Sequence, residues 1–219
     1  MCPYKDVGGV CWFFVMGTHG FALRSLLRSE GKKMLKEIHL DLATRLINHG
    51  PVVLISSRYN EKVNVTPVAW HMPVSKKPPI IALEIGRSHF IYECVMKSKN
   101  FVVNIPSKNL AEKIVKCGSC SGRDVDKLVL CEFELKPSHT IESPAIGGML
   151  AVLECVLLDV PRIAEDCEII LCEVKYAAAH GEAFQKHWMF KKDEFKTIHH
   201  LGDRNFCFPD GENIDLSGK

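Results

Sequence analysis

The stretch Asn64-Val65-Thr66-Pro67-Val68-Ala69-Trp70-His71-Met72-Pro73, continued by Lys76-Lys77-Pro78-Pro79, Ile80-Ile81-Ala82-Leu83-Glu84-Ile85 and Gly86-Arg87-Ser88-His89-Phe90, decides how the rest of the chain is read. Residues 63–70 and 80–85 read as two strands. Between them, residues 73–79 hold three prolines and two lysines. Proline cannot donate to a ladder, so this segment is expected to be loop rather than central strand. The second strand ends at Gly86, and Ile91, Cys94 and Val95 then recur at helical spacing. A helix N-terminus leaves backbone N–H groups unpaired at the positive end of the dipole, so it is a ready anion site. Ser88 is the expected N-cap. Arg87 adds a planar positive fork suited to phosphate oxygens. On the residues alone, such a junction is more often an ordinary helix cap beside a solvated arginine.

Working outward, Leu35, Ile38, Leu42, Ala43, Leu46 and Ile47 recur at helical spacing, and Asn48-His49-Gly50-Pro51 is a stop signal, so an amphipathic helix is expected to open the domain. Val52-Val53-Leu54-Ile55 reads as a buried strand and residues 58–62 as a polar turn. Beyond the quoted stretch, a short helix is expected over 89–97 and a strand over 101–105. Leu110, Ile114 and Cys117 mark another helix that stops at Gly118. A polar loop follows over 118–126. A long apolar strand spans 149–160 and ends at Pro161. Ile170, Cys172, Val174 and Tyr176 alternate with more polar neighbours in a half-buried strand. Residues 195–200 read as one more short strand, and from Phe208 the chain reads as an open tail. Strands and helices do not alternate regularly and no Gly-x-Gly-x-x-Gly occurs, which argues against a doubly wound nucleotide fold. The pattern permits an antiparallel barrel with helical additions.

A chain of 219 residues with 47% hydrophobic and 25% charged residues is long enough for one well-filled core. A net charge of +2 and the lack of a basic stripe interleaved with aromatics argue against a nucleic-acid partner. The apolar run over residues 7–17 is shorter than a membrane span and lacks a clear cleavage site, so neither a membrane anchor nor a signal peptide is expected. Cys155, Cys167 and Cys172 stand in apolar, strand-like runs, as small reduced hydrophobes do, which points to a reducing cytoplasm. The sequon Asn64-Val65-Thr66 carries no meaning there.

Five motifs stand in order: Asn64-x-Thr66-Pro67-x-Ala69-Trp70; Gly86-Arg87-Ser88-His89-Phe90; Phe101-Val102-Val103-Asn104-Ile105-Pro106; Cys117-Gly118-x-x-Ser121-Gly122-Arg123-Asp124-x-Asp126-Lys127; and His200-Leu201-Gly202. Together they resemble the flavin reductase-like, FMN-binding split-barrel family, most of all its flavoredoxin branch. The likeness runs from about Leu35 to Phe206. It implies a mainly β fold with helices, a Greek-key antiparallel split barrel, found as a homodimer with flavin near the interface. Residues 34–208 are then the domain, 209–219 a tail, and 1–33 an appendage, expected to be an upstream translation of non-coding sequence. Within residues 1–33, Lys5, Arg24, Arg28, Lys32 and Lys33 face only Asp6 and Glu30.

The resemblance also implies site residues. Asn64, Val65, Thr66, Pro67, Val68, Ala69 and Trp70 would line the flavin ring and ribityl chain, largely through backbone, with the 73–79 loop covering the cofactor. Arg87, Ser88 and His89 would hold the FMN phosphate. Ile91 stands where many relatives carry threonine, which removes one phosphate contact. His200 and Gly202 would lie beside NADH or NADPH. Asp203 stands where relatives often have glycine, and its carboxylate would repel a phosphate-bearing substrate. The implied activity is electron transfer from NAD(P)H through FMN to free flavin, a ferric chelate or a partner protein. The alternative is a flavoredoxin-like carrier that does not itself oxidise NAD(P)H. No catalytic acid or base is expected, because hydride transfer depends on placement.

Cys117-Gly118-Ser119-Cys120 offers a competing chemistry, a redox pair or half a metal site. No second Cys-x-x-Cys exists. Cys117 follows its helix, at the negative end of the dipole, which disfavours a thiolate, so loop structure is the preferred reading and no metal is expected. No Ser–His–Asp or Cys–His nucleophile is legible. Asp124-Val125-Asp126 is read as a solvated acidic pair.

Overall fold

The computed structural model describes residue 35, residues 37–165 and residues 167–211. The expected appendage at 1–33 lies outside the described residues, as does 212–219 of the tail. The chain divides into two units, 1–39 and 40–219, and in the first the described residues carry no helix or strand. The second unit opens with a 3-10 turn, Leu40–Leu46. Strands β1 (Val53–Tyr59), β2 (Lys62–Val68), β3 (His71–Lys76) and β4 (Pro79–Glu84) lead into helix α1 (Phe90–Ser98) and β5 (Asn100–Ile105). Helices α2 (Ala111–Gly118) and α3 (Lys127–Cys131) precede the short strands β6 (Leu135–Lys136) and β7 (Ala145–Ile146). Then come the long strands β8 (Ala151–Asp159) and β9 (Ile169–Ala179), and a hairpin of β10 (His199–Gly202) and β11 (Asn205–Cys207).

Seven strands form one antiparallel sheet in the order β2-β1-β5-β8-β9-β4-β3. Its two edge strands, β2 and β3, are consecutive in the chain and joined only by Ala69 and Trp70. So short a link reaches roughly 10 Å. The sheet must therefore curl until its edges meet at that corner, which makes a barrel split along β2 and β3. Consecutive strands β4 and β5 lie apart, separated by β9 and β8, and α1 makes the crossing. This is the split barrel the motifs imply.

The core explains the strand patterns. Val53 and Ile55 of β1 join Leu83, Phe101, Ile170 and the buried face of α1 in one cluster. Val52 and Leu54 join Ile114, Cys117 and Cys131 of the outer helices in a second. The start of β1 is thus buried on both faces, which is why it reads as an unbroken apolar run. Ile91 is fully buried within the first cluster and so serves packing rather than an anion. Asn104, also fully buried, donates to Leu54 O at 3.0 Å and accepts from Ile146 N at 2.8 Å, stitching β5 to its neighbours. That gives the Asn of Phe-Val-Val-Asn-Ile-Pro a structural role.

Several expectations need correction. The opening helix is a seven-residue 3-10 helix rather than a longer α-helix, and its residues are not buried, because nothing among the described residues covers its apolar side. The proline-rich loop is mostly strand: β3 occupies residues 71–76, its Pro73 tolerated because β3 is an edge. Helix α3 follows the polar loop directly; Asp126 caps it by accepting from Leu128 N at 2.9 Å, so that acid is not merely solvated. Phe195 lies in a 3-10 turn, and the last hairpin starts only at His199. Cys167 is in the turn between β8 and β9, not in a strand. The tail is not open at Gly211: φ is +94°, and a Cβ there would stand 2.7 Å from Phe190 O. No helix among the described residues is long and apolar enough to cross a membrane.

Candidate functional site

A cavity of about 760 Å³ opens at the corner where the barrel is split. One wall is β2 and its exit, with Asn64 and residues 66–70. A second is the β4–α1 junction, with Gly86, Ser88 and His89. The third is the loop after α2, residues 118–122, with Lys127. Because β2 pairs on one side only, alternate backbone groups face off its free edge and are available to a ligand. Asn48 braces this wall; with its amide assigned by hydrogen bonding, its nitrogen donates to Ala69 O at 3.2 Å and its oxygen accepts from Trp70 Nε1 at 2.5 Å.

At the second wall the N-cap of α1 is His89, not Ser88, and its side chain makes no capping bond. The first-turn N–H groups of this nine-residue helix thus have no side-chain cap. His89 and Ser88 line the cavity beside them. Arg87 does not line it. Its guanidinium stands 3.5 Å from Glu168, a carboxylate that also accepts from the Tyr92 hydroxyl. That hydrogen bond, with burial and the charge of Glu168, raises the Tyr92 pKa.

The third wall holds what the motifs did not single out. Lys127 is only 6% exposed and has no carboxylate partner among the described residues. Asn64, 3% exposed, leaves its Nδ2 buried without an acceptor. Gly122 packs so tightly on Asn64 that a Cβ would fall 2.0 Å from its Oδ1. A buried amide donor on the cavity without a protein acceptor is costly unless a ligand supplies one, and the largely buried Lys127 adds a positive charge to the same lining. In the sequence Lys127 is only the last residue of a motif; its burial follows from its place at the start of α3. Val65, by contrast, lies in the second core cluster and lines no part of the cavity.

A second cavity of about 400 Å³ adjoins the first across Pro67, Ala69, Gly118 and Ser119. His200, Asp203, Arg204 and Phe206 close it. One ring nitrogen of His200 is 3.1 Å from Asp203 O, and Nδ1 is buried without a partner. Gly202 lines neither cavity. It turns the bulged hairpin at φ +115°, where a Cβ would stand 3.2 Å from Arg45 Nη1. Arg45 clamps Asp203 with two hydrogen bonds of 3.0 Å, and these hold the Asp203 carboxyl below its ordinary range. Arg45 thus offsets part of the repulsion expected of Asp203. On the outer face, Ile47, Trp70, Met72 and Val74 surround an apolar groove of about 600 Å³.

Cys117 is fully buried, donates to Val65 O at 3.6 Å, and has its thiol pushed up to about 12 by burial. That opposes thiolate chemistry at the Cys-x-x-Cys. All eight cysteines described are free. No cluster of three or more His, Cys, Asp or Glu able to hold a metal occurs among the described residues.

Barrel, split corner and cavity together define a split-barrel protein, and comparison with known proteins says which kind. Residues 45–199 match the flavin reductase-like domain, so the chain belongs to the flavin reductase-like family. His200 falls just beyond the matched residues. The uncharacterised protein YddH of Escherichia coli is 34% identical over 178 residues, which cover 77% of this chain and 92% of YddH. Among solved structures, the FMN-binding domain of a flavin reductase-like enzyme from Shewanella baltica superposes with a TM-score of 0.70 at 28% identity, over 82% of this chain and 96% of that one. The flavoredoxin of Desulfovibrio vulgaris has a TM-score of 0.69 over 87% of this chain and 98% of its own, and at 14% identity shows the fold alone.

Proposed function

We propose that the larger cavity binds FMN and that the protein passes electrons from NADH or NADPH through it to free flavin, a ferric chelate or a partner protein. The observation that carries this is the buried Asn64 amide donor left without an acceptor on the cavity wall, beside the largely buried Lys127. The residues fit the cofactor. The free edge of β2 over residues 66–70 offers backbone groups to a planar ring and its ribityl chain. Ser88, His89 and the first turn of α1 hold the phosphate, and Arg87 adds charge from the rim while paired to Glu168. Bound FMN supplies reversible hydride and electron chemistry at its ring; the protein supplies position and electrostatics.

Nicotinamide is assigned to the smaller cavity, where His200 Nδ1 offers a hydrogen-bonding atom to a carboxamide. Gly202 contributes the turn that aims His200. A homodimer is part of the same reading, because the apolar groove along β3 is too exposed for a settled monomer surface. A second reading keeps Asp203 as the deciding group. Its carboxylate beside His200 disfavours a phosphate-bearing substrate, which leaves a flavoredoxin-like carrier that takes electrons from another protein.

An anaerobic absorbance titration with FMN, then NADH and NADPH, separates them. A bound-flavin spectrum that bleaches rapidly with either nucleotide is the expected result. Bleaching only by dithionite or a protein donor would establish the carrier. Absence of any flavin binding would sink both. His200→Ala is expected to slow nucleotide-dependent bleaching while leaving the bound-flavin spectrum intact.

A further inference from the structure

Arg87 is not on the lining of the larger cavity, yet both its neighbours, Gly86 and Ser88, are. His89 N donates to Gly86 O at 3.0 Å and closes the turn between them, so only the side chain of Arg87 is free to change partner. Its guanidinium stands 3.5 Å from Glu168 Oε1, long for a hydrogen bond, and its side chain is 51% exposed against 12% for that of Glu168. Glu168 is held from several sides. Its backbone pairs with Arg162 across the turn from β8 to β9, and the next residue, Ile169, donates its N–H to Pro161 O at 3.0 Å. Its second carboxylate oxygen accepts from the Tyr92 hydroxyl, in the first turn of α1. The residue before it, Cys167, lines the larger cavity.

The acid is thus the fixed partner and the arginine the mobile one. A carboxylate at the first turn of a helix brings the negative charge and acceptor oxygens that a phosphate would bring to the same turn. We infer that Glu168 is a specificity-determining residue: it holds the Arg87 charge back from the flavin phosphate and so narrows the preference for FMN over riboflavin, which has the same ring and ribityl chain without the phosphate. The inference rests on the larger cavity holding FMN with its phosphate at α1. A phosphate draws Arg87 to itself only by breaking the pair with Glu168. A half-exposed ion pair of this kind shifts an equilibrium by roughly two- to fivefold, so Glu168 restrains phosphate binding without preventing it.

Calorimetric titration of the full-length apoprotein with FMN and with riboflavin tests it, in wild type, Glu168→Gln, Arg87→Ala and the double variant. Glutamine keeps an oxygen for the Tyr92 hydroxyl and removes only the charge; Glu168→Ala, which removes both, is the second variant at that position. The expected result is FMN bound about threefold or more tighter in Glu168→Gln, riboflavin unchanged within about twofold, and no such gain when the double variant is compared with Arg87→Ala. Unchanged FMN affinity in both Glu168 variants would overturn the inference, and weaker FMN binding would mean instead that Glu168 aims Arg87 at the phosphate. A gain shared equally by riboflavin, or one that persists without Arg87, would overturn it too. Each of these outcomes leaves the FMN reading standing. Failure of wild type to bind FMN would remove that reading and this inference together.

Discussion

Lys127, only 6% exposed, sets a positive charge on the cavity wall without a carboxylate partner among the described residues. Lys127→Met removes that charge and keeps much of the side chain's length. It should weaken FMN binding by about 1.5–3 kcal/mol, the worth of a charged hydrogen bond, read by flavin titration. A variant that binds FMN as tightly as wild type would remove Lys127 from the site. Arg87→Ala should cost less than Lys127→Met, because Arg87 is half exposed and already shares its charge with Glu168. Glu154 shows the other fate of a buried charge. Burial opposes its ionisation most strongly, yet hydrogen bonds from Thr140 Oγ1 and N and from His139 N outweigh it and hold its pKa below the usual 4.5. A depressed carboxylate stabilises the fold above its unfolded pKa and loses that contribution as pH falls through the folded one. Stability should thus decline on acidification below about 4.5. Glu154→Gln should lose about 2 kcal/mol at neutral pH and flatten that decline, measured as Tm against pH.

At the scale of elements, the loop from α2 to α3 forms the third wall because Gly122 lets it lie flat on Asn64. Gly122→Ala would place a methyl 2.0 Å from Asn64 Oδ1, so the amide must move. FMN affinity is expected to fall at least tenfold, with a loss of stability of about 1–3 kcal/mol from overpacking. Unchanged affinity with the methyl in place would show that Asn64 takes no part in binding. The β3 edge illustrates how context overrides a local rule. Pro73 denies a central strand, but an edge strand needs no donor on its outer side, so the proline-rich segment still pairs with β4.

For the molecule as a whole, the apolar strip along β3 is an exposure that the fold does not explain. Met72 and Val74 are 58% and 49% exposed beside the groove. If a second copy covers them, Met72→Asp/Val74→Asp should convert a dimer to a monomer by light scattering, with FMN affinity reduced because the groove shares Ala69 and Trp70 with the flavin cavity. A wild-type protein that is monomeric at micromolar concentration would refute the dimer.

The sequence by itself determined most of the strands, the α1 and α2 helices and the stretch that lines the cavity, because these rest on local periods, prolines and glycines that act within a few residues. It also determined the family, through five motifs in order. It did not place Lys127 on the cavity, hold Arg87 on Glu168, pair Asp203 with Arg45 or split the roles of Val65 and Thr66. Those outcomes join residues far apart in the chain: 158 positions separate Arg45 from Asp203. Only closure of the barrel decided them, because burial and charge pairing depend on which distant side chain arrives opposite, and local pattern carries no record of that.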